Sequence, residues 1–394
     1  MPGVPDVFAH DHCGTELRFG RGAVDRLSEM LSDRGLDRAL VVTGTNVGSN
    51  PAVMDPVRAG LGERLAGVFD QTTPAKRAGT AFAGIDGMHA ADVDVLVGVG
   101  GGSSLDIARQ MSAFESDGRS LEAYKSEARE GALEPPSVTD PTPVVVIPTT
   151  FAGAAVSSGG SIELLSVRES PTADPIRTSG SVRPIAVIED PTLYETTPMG
   201  ALVGSAMNGF NKGLETIYAN GATAITDATA VRGLRLLTDA LPRLPGDSVD
   251  MDHAVAGSLL VQFERTPNVI HAFGHGFARR YAVQQGVAHA IMAPHVLRYL
   301  FERVDARRSV LAEGLGLEAD AMTSDDLGKA IVASVVSVRD HLGLPDRLRD
   351  LEAVAEADLP AIARFVHDDA PMARAPSGLD PTVGELEAVL RAAW

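Results

Sequence analysis

Cysteine is almost missing from this chain: among 394 residues, Cys13 stands alone. One thiol can close neither an internal disulfide nor a thiolate metal cage, which fits a reducing cytoplasm. Lysine is scarce too. Lys76, Lys125, Lys212 and Lys329 are the only lysines among 34 basic residues, set against 52 acidic ones for a formal charge of −18. That balance opposes nucleic acid and anionic membranes, and an acidic, lysine-poor surface is what is expected of a halophilic, salt-adapted cytoplasm. A GC-rich genome accounts for arginine over lysine but not for the acidity. Aromatics make up 5% of the chain, and no apolar run reaches the length of a membrane span; PVVVIP at 143–148 reads as a buried strand. The opening MPGVPDVFAHDH has neither a basic region nor an apolar core, so no export signal is expected. What is present is length enough for two domains with proper cores.

The most informative stretch is VDVLVGVGGGSSLDIARQM at 93–111. Residues 93–99 have the aliphatic, β-branched character of a buried parallel strand. Gly100, Gly101 and Gly102 follow, then Ser103 and Ser104, and a helical pattern begins at Leu105. A strand that runs through glycines into a helix N-terminus can hold a phosphate, because the backbone approaches the oxygens and the first-turn N–H groups point outward. A plain strand-to-helix turn with no ligand is the alternative. A second strand at 144–147 runs into Pro148-Thr149-Thr150-Phe151-Ala152-Gly153, whose hydroxyls and glycine again suit a phosphate or ribose.

Around these stretches the pattern is βαβ. An edge strand followed by a turn is expected over 15–22, a helix at 23–34, and a strand at 39–43 ending in Gly44-Thr45-Asn46. A helix at 51–66, a short strand at 66–69 and a further helix lead to the central strand. Residues 115–143 read as a charged, proline-rich surface excursion, and 185–188 as a last strand before Asp190-Pro191. From Pro198 the periodicity is helical. Ile225, Ala228, Val231 and Leu234 recur at three-residue intervals until Pro242, and the final helix opens on a capping box, Thr382 with Glu385, to bury Leu386, Val389 and Leu390. The chain thus divides near residue 195 into an α/β half and an all-α half.

GGGSSLDIAR at 100–109, PTTFAG at 148–153, Asp190-Pro191 and His271-x3-His275 occur in that order. Together they resemble the iron-containing alcohol dehydrogenase superfamily over nearly the whole chain. PTTFAG, the Asn of SAMNGF and the ending VLRAAW are most similar to its maleylacetate reductase branch. The resemblance implies an α/β plus all-α fold of dehydroquinate synthase-like architecture. A Rossmann-like dinucleotide-binding domain would occupy 1–195 and a helical substrate domain 196–394, with the active site in the cleft between them. It also implies a nicotinamide cofactor, with Gly101, Gly102 and Ser103 on the pyrophosphate beside Gly100, and with Asp106, Thr149, Thr150 and Phe151 close to the dinucleotide. Gly44, Thr45 and Asn46 stand where many relatives carry an acid for the adenosine ribose. Glycine there removes the repulsion of a 2′-phosphate, so NADP(H) as well as NAD(H) is expected.

The metal positions depart from the family. Typical members hold a divalent ion with an Asp and a His one helical turn apart and two further histidines. Those positions fall on Asn208, Lys212, His271 and Gln285. An amide is a weak ligand and an ammonium has no lone pair, so no metal is expected. His271 and His275 share a helix face; they are either a packed pair or site residues, and the family counterpart of His275 lies near the nicotinamide. His289 and His295 align with ordinary helix positions. Lys212 stands out as the group to take over the ion's electrostatic role, with Asn208 on the same helix face to orient it. Arg279 and Arg280 are candidate carboxylate receivers or a solvated helix face. The function implied is a metal-independent, NAD(P)-dependent reduction of an aldehyde or keto acid such as maleylacetate, or the reverse. A sugar-phosphate cyclase and a nucleotide-binding paralogue without chemistry are the alternatives. The partners expected are a small-molecule substrate and a second copy of the chain, not nucleic acid or a membrane.

Overall fold

The computed structural model describes residues 8–172, 174–244, 246, 249–263, 265–320 and 322–394. Residues 1–7, part of the stretch read for an export signal, lie outside them. The chain forms two compact units, Met1–Thr150 with Ala154–Thr197, and Phe151–Gly153 with Pro198–Trp394.

The first unit carries the strands β1 (Phe8–His12), β2 (Thr15–Phe19), β3 (Ala39–Gly44), β4 (Leu65–Thr72), β5 (Val95–Gly100), β6 (Val144–Pro148), β7 (Ile162–Leu165), β8 (Ile176–Thr178) and β9 (Ala186–Glu189). Seven make one sheet in the order β1-β2-β9-β6-β5-β3-β4, and β7 pairs with β8 separately. Within the large sheet only β1 against β2 is antiparallel. β5 lies between β3 and β6 and is buried along its whole length, which is why it shows no polar alternation. Leu27, Met30, Val57 and Leu61 from flanking helices pack on Val41, Val97, Val145 and Ile188. Each such burial stabilises by roughly 1.5–3 kcal/mol.

Several local expectations change. The strand at 15–19 is interior, because β1 pairs along one side of it and β9 along the other. The helix begun at Pro51 ends at Leu61, where Gly62 turns to φ 56, and β4 starts at Leu65. The central helix begins at Gly102 rather than Leu105 and runs to Asp117. The excursion at 115–143 holds a helix of its own, Leu121–Glu130, capped by Ser120 and seated through Tyr124 and Ala128.

The second unit is built of helices: Met199–Tyr218, Ala224–Ala240, Met251–Leu260, Val269–Ala278, Gln285–Phe301, Arg308–Leu315, Ser324–His341, Leu359–Asp368 and Val383–Ala392. The Met199–Tyr218 helix is buried almost all round from Gly204 onward, as a central helix of a bundle must be. On Ala224–Ala240 the buried face is Ala230, Gly233, Leu234 and Leu237, whereas Ile225 is 74% exposed. The expected stripe through Ile225 was therefore rotated away from the true one. The Thr382–Glu385 capping box forms, and Leu386, Val389 and Leu390 are buried behind it. Among the described residues no helix is long and apolar enough to cross a membrane.

Candidate functional site

In the first unit the candidate phosphate turn stands where the strand order reverses. β3 is flanked by β4 on one side and β5 on the other, and ligands of open parallel sheets bind at the carboxyl ends of such a switch point. The ends of β3, β5 and β6 bring Gly44, Thr45, Asn46, Gly100, Gly101, Gly102, Ser103, Thr149 and Thr150 to this edge. Gly100 takes φ 126, a backbone that side chains rarely adopt. Gly101 is the N-cap of the Gly102–Asp117 helix and makes no side-chain cap bond, and the Ser104 N–H turns back to the Gly101 carbonyl at 3.0 Å, so the Gly102 and Ser103 N–H groups are the ones placed for a ligand. A Cβ on Gly101 would come within 3.6 Å of Thr150, which puts that hydroxyl beside the same turn. Thr149 is buried and ties β6 to β5 through its N–H to the Gly100 carbonyl at 3.0 Å. Ser104 turns inward to share a 2.7 Å bond with Thr72. Thr45 donates to the Asp70 main-chain carbonyl at 2.9 Å, which ties the turn after β3 to β4. The residues present thus fit a dinucleotide phosphate.

Two expected members of this group have protein partners of their own. Asp106 is buried and engaged by Lys76 Nζ and Arg109 Nη1, each at 3.0 Å. Arg109 is fully buried and also donates to the carbonyls of Ala154 and Ala155 at 2.7 Å. Asp106 therefore anchors the loop after 153 to the central helix. Phe151 groups with the helical unit, 1% exposed, with its N–H on Ser205 Oγ at 3.1 Å.

In the second unit three polar residues of the Met199–Tyr218 helix, Asn208, Lys212 and Glu215, form a stripe spaced by about one turn each. Lys212 is 5% exposed. Its ammonium donates to the carbonyls of Ala152 and Gly153, the latter at 2.7 Å. Arg265 Nη1 reaches the Gly153 carbonyl as well, at 2.7 Å. His271 Nδ1 bonds to Glu215, whose other oxygen accepts the His271 N–H at 2.9 Å. His271 Nε2 lies 3.2 Å from Asn208 Oδ1. Burial pushes the Glu215 carboxyl up to about 8, and burial, with Lys212, His275 and Arg265 adding to it, holds His271 well below the usual range.

His289 belongs to this cluster, contrary to the sequence expectation. Its ring is fully buried and its centroid lies 4.4 Å from that of His271. Gly274 makes room for it, since a Cβ there would meet His289 Nε2 at 2.1 Å. Gln285 approaches the same ring, Nε2 to Nε2 at 3.5 Å. His295 stays apart, pushed down to about 4 by burial and the arginines at 298, 339 and 347. His275 bonds through Nδ1 to Asp369 at 2.6 Å, and Arg279 reaches the other oxygen of Asp369 at 3.3 Å. Arg280 lies over the Phe365 ring, 5.5 Å from its centroid. Glu215 carried a sequence signal, a carboxylate one turn beyond Lys212 on the same helix. Asp369, 94 residues from His275, carried none.

The family's ion needs lone pairs, and at its four ligand positions Asn208, Lys212, His271 and Gln285 offer one imidazole, two amides and an ammonium already donating to two carbonyls. The donor set does not fit a divalent cation.

Similarity to known proteins follows the same division of the chain. Residues 14–191 match the family model "Iron-containing alcohol dehydrogenase", and residues 202–394 match "Fe-containing alcohol dehydrogenase family, C-terminal". The NAD-dependent methanol dehydrogenase of Bacillus methanolicus is 25% identical over 89% of this chain and 91% of its own. The maleylacetate reductase of Rhizobium sp. (strain MTP-10005) is 24% identical over 78% of this chain and 80% of its own. A crystal structure of 1,3-propanediol oxidoreductase superposes with a TM-score of 0.86 at 22% identity, covering 99% of each chain. With the two halves matched in sequence and the whole matched in fold, this protein is an oxidoreductase of the iron-containing alcohol dehydrogenase family.

Proposed function

We propose that the protein reduces a carboxylate-bearing carbonyl compound, or oxidises the matching alcohol, with NADPH or NADH and without a metal ion. The observation that carries this reading is Lys212: a buried ammonium, fixed by two backbone carbonyls, at a position that supplies a metal ligand in relatives. The dinucleotide, when bound, supplies a hydride to the carbonyl carbon. As the C=O electron pair moves to oxygen, Lys212 stabilises the developing alkoxide in a site that burial has partly emptied of water. Asn208, on the same face, offers its amide to the same oxygen. In the first unit the N–H groups of Gly102 and Ser103 hold the pyrophosphate, with Thr150 beside them.

A carboxylate on the substrate is supported by the sign of the charge. Lys212 and Arg265 converge on Gly153, and His271 is held down in part by Lys212, His275 and Arg265. A positive cluster in a chain of net charge −18 is a selective place for an anion. A keto acid of the maleylacetate kind has both required groups. The same reading takes the protein to be a cytoplasmic homodimer, which light scattering at high and low salt checks.

The test is metal analysis of the purified protein, followed by a screen of aldehydes and keto acids with both cofactors. The expected result is far less than one metal per chain and indifference to chelators. Keto acids should be preferred over simple aldehydes by about tenfold or more in kcat/KM, the worth of one well-placed charge. Stoichiometric iron or zinc whose removal abolishes turnover overturns the metal-independent reading. Equal turnover of neutral and anionic carbonyls overturns the substrate class.

A further inference from the structure

His275 follows His271 by one turn of the Val269–Ala278 helix, and the two ring centroids are 6.4 Å apart. The two histidines have different carboxylate partners. His271 bonds to Glu215, which burial pushes up to about 8 and so towards its neutral form. His275 Nδ1 lies 2.6 Å from Asp369 Oδ2, whose side chain is 6% exposed. The other oxygen of Asp369 accepts from Arg279 Nη1 at 3.3 Å. Asp369 directly follows the Leu359–Asp368 helix and opens the next short turn with extended backbone angles, φ −72 and ψ 134. Arg279, at the end of the helix that carries His275, lies over the Phe365 ring 5.8 Å from its centroid. The carboxylate is thus held from two sides, by the chain at its own end and by a guanidinium braced on an aromatic ring.

A carboxylate that accepts a proton-bearing Nδ1 decides the tautomer of a neutral imidazole: hydrogen on Nδ1, lone pair on Nε2. It also stabilises the imidazolium that forms when Nε2 takes up a proton. We propose that Asp369 is a positioning residue of the reaction, fixing His275 so that its Nε2 exchanges the proton of the carbonyl or alcohol oxygen. In the reducing direction the hydride adds to carbon and the new O–H takes its proton from Nε2 of imidazolium His275. The ring is left neutral with Nδ1–H on Asp369, and solvent restores the proton. Arg279 shares the negative charge of Asp369 and so limits how strongly the imidazolium is favoured. The other ionisable groups facing this ring are His271 on the same helix, Glu215 on Met199–Tyr218 and His289 on Gln285–Phe301. The proposal rests on the carbonyl reductase reading above.

The test combines a spectroscopic arm, which needs no substrate, with a kinetic one. Histidine is labelled with 15N in the full chain, and His275 is assigned by the signals lost in His275→Gln. In the wild type its neutral form should show the Nδ1–H pattern. Asp369→Asn should mix the tautomers and lower the titration midpoint by about one pH unit or more. The same variant should lose at least about tenfold in kcat, with KM and NADPH affinity nearly unchanged, and Asp369→Glu should restore part of the loss. Arg279→Met leaves the Asp369–His275 pair intact and should raise the midpoint, so the idea stays exposed if Asp369→Asn fails to fold. A wild-type ring with hydrogen on Nε2, or a folded Asp369→Asn with unchanged tautomer or unchanged kcat, overturns the proposal. A wild-type protein inert to every carbonyl with either cofactor overturns the reductase reading, and with it this proton-transfer step.

Discussion

Lys212 holds the carbonyl of Gly153 at 2.7 Å and that of Ala152 beside it. One side chain therefore fixes a loop and carries the charge assigned to catalysis, and its replacement should affect both. Lys212→Met leaves two carbonyls without that donor, at about 1–3 kcal/mol of stability. It should also remove the electrostatic partner of the alkoxide, worth about 2.7–4 kcal/mol in barrier, or roughly 100- to 1000-fold in kcat. Lys212→Arg should recover stability more fully than turnover. Thermal melts beside steady-state rates separate the two roles; full activity in folded Lys212→Met sinks the assignment.

Gly101→Val tests the phosphate turn. Gly101 has φ −73 and ψ 171, angles that a β-branched residue accepts, and the nearest atoms to a Cβ are those of Thr150 at 3.6 Å. The variant should fold, yet the added methyl groups crowd the N-terminus of the helix. NADPH fluorescence titration should show binding weakened by about 100-fold or more, from lost anion contacts and overlap together. Wild-type affinity would remove the turn from the cofactor site.

Cofactor choice should respond to Gly44. An aspartate there reintroduces repulsion towards a 2′-phosphate, and NADPH should weaken relative to NADH by about tenfold. A Cβ at this position lies 3.1 Å from the Thr72 carbonyl, so Gly44→Ala is the control that separates crowding from charge. If Gly44→Ala and Gly44→Asp change the NADPH/NADH ratio equally, charge is not the cause.

Glu189 makes stability fall with rising pH. It is fully buried, bonded to Tyr194 Oη at 2.5 Å, and pushed by burial from 4.5 up to about 8. A raised carboxyl means that the folded chain binds more protons than the unfolded one between those values. The contribution is therefore fully present below about pH 4.5 and declines towards pH 8, by at most about 1.4 kcal/mol per pH unit. Glu189→Gln stays uncharged throughout, so its denaturant midpoint should drop less than the wild type's between pH 5 and 8. Parallel profiles would show that Glu189 is ionised in the folded protein.

What could be read from the sequence was local. The run 93–99 and the triple glycine announce β5 and its helix because a parallel strand covered on both faces has no polar residues to blur it. Residues 115–143 misled because the four-residue polar stretch around Ser120 and the prolines at 135 and 136 hide the Leu121–Glu130 helix between them. Ile225 misled because a three-residue spacing drifts round a helix of 3.6 residues per turn. The site was half visible. Asn208, Lys212, Glu215, His271 and His275 lie on two helices with regular spacing, whereas His289, Arg265 and Asp369 become neighbours only through packing across the second unit.

The stretch Phe151–Gly153 belongs with the helices although it lies 45 residues ahead of them in the chain. Ser205, Lys212 and Arg265 all donate to or accept from these three residues. A recombination breakpoint at the apparent border near 198 would therefore graft the helical half without its own acceptors. Ancestors that exchanged this half between lineages would have had to carry PTTFAG with it or rebuild the contacts of Ser205, Lys212 and Arg265. A chimera joined at 198 should regain stability when residues 151–153 come from the same parent as the helices.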